Sequence, residues 1–292
     1  MDRILIVGCG DIGRRVARLW IARGKAVFGL ARSPRAAARL SRHGIVPVSG
    51  DLDDHDTLRG LPARNALVYY FAPPPAEGET DPRARAFADA VRDGDAPEKL
   101  VCMSTTAVYG DLKGGWATEE TPALPETDRG KRRLDAENVL LAWGRERNVP
   151  VVVLRVAGIY GPGRLPVEAI RRGTPVLAEA DSPFTNRIHA EDLARVCVAA
   201  AERGSGGRIF NVSDGVPGTM TEYVYAVADR LGLPRPPAVG LEESRTMLAP
   251  GLLTYLSESR RIDNRRMREE LGVAVLYPTL AAGLAASLED DT

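Results

Sequence analysis

Apolar and polar positions follow two alternating patterns along this chain. Residues 3–7 (Arg-Ile-Leu-Ile-Val) form a short β-branched run closed by glycine, as expected of a strand buried on both faces. Ile12, Val16, Leu19 and Trp20 then recur at helical spacing up to Gly24, where glycine can end a helix. Apolar runs at 26–30, 45–48, 67–71, 99–103 and 151–156 predict further strands, with helices at 34–42, 83–92 and 131–146 between them. Pro73-Pro74-Pro75 closes the fourth strand, since no central strand continues through prolines. This alternation predicts right-handed βαβ units and a doubly wound α/β fold with a parallel sheet covered on both faces.

Beyond Gly161 the pattern loosens. Helices are expected near 167–172, 192–203, 220–231 and 265–271, around one strand at 208–212. The segment 233–253, rich in proline and glycine, reads as loop.

The first strand runs directly into Gly8-Cys9-Gly10-Asp11-Ile12-Gly13, which opens the first helix. That is the setting a G-x-G-x-x-G needs to be a Rossmann-type dinucleotide turn. Gly8 permits the tight turn, Gly10 lets a pyrophosphate approach the backbone, and Gly13 lets helix pack on strand. The N–H groups of the helix start, at Asp11 and Ile12, face the phosphates. At the end of the second strand, NAD enzymes place an acidic residue for the ribose 2′-hydroxyl. This chain has Arg32-Ser33 instead, a guanidinium and a hydroxyl suited to a 2′-phosphate, so NADP is expected in preference to NAD. Asp51 and Leu52 after the third strand, and Phe71, Ala72 and Pro73 after the fourth, complete the expected pocket. The expected division is a dinucleotide-binding domain over 1–160 and a smaller C-terminal substrate lobe over 161–292, with the strand near 208–212 able to join the main sheet.

Composition narrows the partners. Thirty-nine basic residues balance thirty-nine acidic ones, so no net field recruits nucleic acid or a membrane. No stretch reaches the roughly 20 apolar residues of a membrane span. The strand beginning at residue 3 leaves no space for a signal peptide, and Cys9, Cys102 and Cys197 are widely spaced. A cytoplasmic protein, monomer or homodimer, acting on a small molecule is expected.

Five further segments run in order: Gly50-Asp51-Leu52; Ser104-Thr105-Thr106-Ala107-Val108-Tyr109-Gly110-Asp111; Leu154 to Gly163; Ile188-His189-Ala190-Glu191-Asp192-Leu193-Ala194; and Phe210 to Gly215. With the glycine turn, they resemble the extended short-chain dehydrogenase/reductase family, which includes the NAD-dependent sugar epimerases and dehydratases. The resemblance implies a Ser or Thr at Thr105 working with a Tyr-x-x-x-Lys pair on the next helix. Counted back from Ala136-Glu137, those two positions fall on Arg129 and Arg133. A phenol with a pKa near 10 can be tuned to exchange a proton, whereas a guanidinium stays charged and cannot be the base. Arg133 can still bond ribose hydroxyls, and Arg129 can bind an anionic group or polarise a carbonyl.

Three outcomes stay open. Tyr109 or Tyr160 supplies the proton; or substrate or water completes the reaction with Thr105 donating; or the protein binds NADP(H) without turnover, as a redox-responsive regulator. The expected function is an atypical NADP-dependent oxidoreductase or epimerase/dehydratase-like enzyme, with that non-catalytic binder as the alternative. Family members acting on nucleotide sugars often carry an arginine where Thr185 stands; here Arg187 lies two residues on, and Asn186 and Arg187 are the expected substrate contacts.

Other clusters add little. His43, His55 and His189 lack helical metal-site spacing, so no metal is expected. Cys9 in the turn is either a stabilised thiolate or, more simply, a small apolar filler. Arg260-Arg261 and Arg265-Arg266 interleave with acids and read as a solvated helix face.

Overall fold

The computed structural model describes residues 2–92 and 94–289. Seven parallel strands form one sheet: β1 (Arg3–Val7), β2 (Ala26–Ala31), β3 (Val46–Ser49), β4 (Leu67–Tyr70), β5 (Lys99–Thr105), β6 (Val151–Val156) and β7 (Ile209–Val212). Their spatial order is β7-β6-β5-β4-β1-β2-β3. Ile4 pairs with Val27 on one side and Leu67 on the other. The strand order therefore reverses between β1 and β4, opening a crevice at the carboxyl edge where ligands of such sheets sit. Strands covered on both faces need apolar side chains at consecutive positions. That is why Ile4, Leu5, Ile6 and Val7 are all fully buried.

Helices α1 (Asp11–Ile21) and α6 (Ala190–Arg203) cover one face, placing Val16 and Trp20 against Leu193, Val196 and Cys197. Trp20 Nε1 donates to Tyr69 Oη (2.9 Å), which donates to the Cys197 carbonyl (3.3 Å), tying both helices to β4. On the opposite face lie α3 (Pro82–Ala90) and α4 (Asp128–Glu146), with Phe87, Leu140 and Trp143 in the core. Arg155 on β6 forms a buried ion pair with Glu137 on α4 (2.8 Å). Helix α2 (Pro34–Ser41) packs beside β2 and β3.

The later chain supplies β7 to the main sheet and a smaller cluster of its own. There Tyr160, Ile170, Tyr223, Val227 and Leu284 pack together, from α5 (Val167–Arg171), α7 (Met220–Arg230) and their neighbours. The segment expected to be loop contains two helices, α8 (Leu241–Met247) and α9 (Pro250–Leu256). Pro250 stands in the first turn of α9, where its missing N–H has no partner to lose, so it starts a helix rather than breaking one. Helix α10 (Arg265–Glu270) follows, and α11 (Leu280–Glu289) ends the described chain, a helix the apolar pattern had not signalled.

Candidate functional site

The crevice between β1 and β4 opens into a cavity of about 620 Å3, lined by Gly8, Gly10, Arg32, Asp51, Leu52, Phe71, Ala72 and Pro73. Gly8 has φ +89°, and a Cβ there would lie 2.4 Å from the Ala72 nitrogen, so the turn itself requires glycine. At Gly13 a Cβ would press on Ile6 Cγ2 at 3.2 Å, consistent with close packing of helix on strand. Gly10 differs. Its φ is −78° and its ψ −145°, outside the usual strand and helix regions, and a Cβ would meet no atom within 4 Å. The open space beside it leaves the backbone approachable from the cavity.

Among the described residues no side chain caps α1, nor α5, α8, α9 or α10, whereas Ser33, Asp81, Thr127, His189 and Thr219 cap α2, α3, α4, α6 and α7. The N–H groups of its first turn are thus left for a ligand. Ile12 is buried and can contribute only its backbone. The Asp11 carboxylate accepts from Arg15 (3.1 Å) and Arg164 (2.7 Å). Partial burial pushes its pKa up, but these arginines outweigh that and hold it below the ordinary value. Cys9 is buried, and desolvation pushes its thiol up to about 12, so it is the apolar filler and no thiolate.

Arg32 is exposed at the cavity rim without a hydrogen bond or ion pair among the described residues, and Arg39 from α2 lines the same space. Ser33 Oγ accepts from Ala36 N–H (3.2 Å) as the cap of α2 and lies outside the lining. Asp51 Oδ1 accepts from Asp53 N–H (3.1 Å). Arg83 donates to both Asp53 oxygens (2.6 and 2.5 Å) and to the Pro73 carbonyl (3.0 Å), bracing the lower wall.

A second cavity, about 310 Å3, lies at the ends of β5 and β6 and brings together Thr105, Arg129, Arg133 and Asn186 with Arg164, Tyr255 and Glu258. Thr105 Oγ1 accepts from Ala107 N–H (3.3 Å), which leaves its own hydrogen to donate. Ser104 Oγ is buried beside it without a hydrogen-bond partner among the described residues. Arg133 Nη1 donates to the carbonyls of Ala72 (3.0 Å) and Met103 (3.2 Å), joining the ends of β4 and β5, and burial lowers its pKa. Arg129 is exposed and makes no hydrogen bond or ion pair among the described residues. The Asn186 amide is taken up by backbone, donating to the Arg260 carbonyl (3.0 Å) and accepting from Ile262 N–H (2.9 Å).

Neither tyrosine singled out from the sequence offers its hydroxyl here. Tyr109 Oη donates to Asn211 Oδ1 (2.7 Å) in the core, and burial raises its pKa. Tyr160 Oη is buried against Gly283, where an added Cβ would come within 2.0 Å of it. The phenol that reaches the cavity is Tyr255 of α9, whose Oη lies 3.6 Å from where a Gly158 Cβ would stand and makes no hydrogen bond among the described residues. Glu258 is buried, with Oε2 on Arg260 (2.8 Å) and Oε1 unpartnered. Arg260 is therefore an interior residue and no part of a solvated face, while Arg265 and Arg266 do pair with Asp263 and Glu120.

A third cavity, about 370 Å3, adjoins the second and shares Gly158, Ile159, Arg164 and Tyr255 with it. Arg187 lies on its wall.

Residues 4–213 match the model of the NAD dependent epimerase/dehydratase family. Protein YeeZ of Escherichia coli (strain K12) is 27% identical over 95% of this chain and 97% of its own length. A Stigmatella aurantiaca 4-hydroxy-2-methyl-3-oxo-4-farnesyl-3,4-dihydroquinoline-1-oxide ketoreductase is 26% identical over 77% of this chain and 72% of its own. A functionally unknown conserved protein from Silicibacter pomeroyi DSS superposes with a TM-score of 0.85 at 31% identity, covering 100% of both chains.

Proposed function

Because the chain belongs to the NAD dependent epimerase/dehydratase family, we propose that it binds a nicotinamide dinucleotide over Gly8–Gly13, preferring NADP(H), and acts as an oxidoreductase or epimerase-like enzyme on a small carbonyl or hydroxyl compound. The supporting observation is the uncapped start of α1, whose preceding Gly8 and Gly10 line the cavity where the strand order reverses. Arg32 and Arg39 are the residues to meet a 2′-phosphate, and Leu52 the apolar wall for the adenine. The bound cofactor would supply two-electron redox chemistry.

This chain's own residues then divide the remaining work. Thr105 donates a hydrogen bond to the substrate oxygen from the end of β5. Arg133 fixes the strand ends on which that geometry depends, and Arg129 offers a cationic group at the mouth. Tyr255 takes the role that the family gives to a tyrosine on α4: it lines the same cavity as Thr105 and exchanges the proton. A ketoreductase among the relatives is consistent with carbonyl reduction.

The test is multiple-turnover oxidation of NADPH across a carbonyl panel. Tyr255→Phe is expected to lower kcat about 100-fold or more, the usual worth of a general acid, with NADPH affinity unchanged. The second reading, a binder without turnover, draws on the guanidinium of Arg129 where the resemblance places the tyrosine. Tight NADPH binding with no turnover on any compound of the panel would favour it.

A further inference from the structure

The Tyr255 hydroxyl stands where Gly158 leaves a side chain out. Residues 158–160 and 187–189 form a short parallel pair in which Gly158 lies directly beside Arg187. Partners in such a ladder project to the same face. Tyr255 Oη lies 3.6 Å from where a Gly158 Cβ would stand. The phenol therefore comes down on the face from which the Arg187 side chain rises, and both residues line the third cavity.

Arg187 is only 7% exposed. Its Nη2 donates to Thr185 Oγ1 (2.8 Å) and the Thr219 carbonyl (2.6 Å), and the guanidinium stacks on Tyr223 at 4.5 Å. Burial lowers its pKa, and of the groups that oppose this the Tyr255 hydroxyl comes first, ahead of Tyr223, Asp214 and Glu222. Such a coupling is reciprocal: a phenolate that favours the charged arginine is favoured by it in turn.

The other ionisable groups on the two cavities that Tyr255 lines are placed differently. Arg164 pairs with Asp11 (2.7 Å) and Arg260 with Glu258 (2.8 Å), so each charge is matched by a carboxylate. Arg133 donates to the Ala72 and Met103 carbonyls, and Arg129 is exposed. The Tyr160 hydroxyl is turned against Gly283. Arg187 is the cation that burial and the Gly158 pairing bring to the phenol.

We propose that Arg187 is a positioning residue for Tyr255: its buried positive charge stabilises the phenolate left when the hydroxyl gives its proton to the substrate oxygen. This rests on the reading of Tyr255 as proton donor in carbonyl reduction. The Tyr255 O–H bond breaks, an O–H bond forms on the substrate oxygen, and the carbonyl carbon takes a hydride from the reduced nicotinamide. The negative charge stays at Tyr255 Oη, beside the guanidinium, until water returns a proton.

The test that needs no turnover is nitration of Tyr255 by tetranitromethane, which attacks the phenolate. It is read by peptide mass spectrometry on the full-length protein, without cofactor, from neutral to alkaline pH. Asp214, whose carboxyl burial pushes up to about 6, is ionised throughout that range. Arg187→Gln and Arg187→Met remove the charge and Arg187→Lys keeps it; either neutral variant carries the comparison if the other does not fold. Both neutral variants should displace the nitration profile to higher pH by about one unit or more, with Arg187→Lys near the parent. On a carbonyl compound that turns over, the neutral variants should lose about tenfold or more in kcat, the equivalent of one unit, with KM little changed. Coincident profiles in parent and neutral variants, or a displacement by Arg187→Lys as large as theirs, would overturn the proposal. Tyr255-dependent turnover without the displacement defeats this inference alone. The displacement, with turnover that Tyr255→Phe leaves intact, defeats the proton-donor reading while the pairing of cation and phenol stands.

Discussion

A methyl group added at Gly8 would meet backbone at Ala72 in a left-handed conformation, while one added at Gly10 would meet empty space. The two alanine variants should therefore separate fold from function. Gly8→Ala is expected to lose several kcal/mol of stability, on the order of the strain and overpacking costs combined. Gly10→Ala should cost less, about 1 kcal/mol for a ψ outside the usual regions with no steric clash, yet bind NADPH at least about tenfold more weakly. Thermal denaturation and a fluorescence titration on the same samples check both. Asp214 makes a different point. Burial pushes its carboxyl up to about 6 from an ordinary 3.8. Between those values the native state holds a proton the unfolded chain has lost, so this group's contribution falls as pH rises through that window. Asp214→Asn is expected to stabilise the protein above pH 6 by about 2 kcal/mol and to change little below pH 4. Denaturant melts at the two pH values compare them.

Among the elements, α4 is fixed by the Glu137–Arg155 pair beneath it, with Tyr109 stacked on the guanidinium at 4.8 Å. Glu137→Gln would leave a buried arginine charge unmatched and is expected to cost about 3–5 kcal/mol by urea unfolding. The main-sheet strands were legible in the sequence because burial on both faces demands uninterrupted apolar runs, as in β1 and β6. The glycine turn was legible because it depends on local backbone geometry. Helices α8 and α9 were not, since Gly240, Pro250 and Gly251 read as loop punctuation and become helix boundaries only once packed. Tyr255 was hidden with them. Its place in one cavity with Thr105 is set by tertiary structure, and no spacing between residues 105 and 255 encodes it. Tyr109 and Tyr160 drew attention by closeness in sequence to the strand ends, but their hydroxyls turn into the core. Arg39 follows the same logic on a smaller scale, reaching the first cavity only because α2 packs on β2.

Across the whole molecule, a single parallel sheet sets a crevice at its carboxyl edge beside two smaller cavities, and the later chain closes over the smaller two with α5, α7 and α9. Arg164 touches this arrangement at its centre, lining both smaller cavities while its guanidinium reaches Asp11 at the start of α1. The start of α1 and the two smaller cavities are thus joined by one ion pair. The balance of charges leaves recognition to these local groups rather than to a net field. The most direct measurement is equilibrium titration of the purified protein with NADPH and NADH, repeated on Arg32→Ala. NADPH is expected to bind about tenfold or more tightly than NADH and the variant to lose that difference, as one charge-assisted hydrogen bond to Arg32 would require. Absence of measurable affinity for any pyridine nucleotide would contradict it.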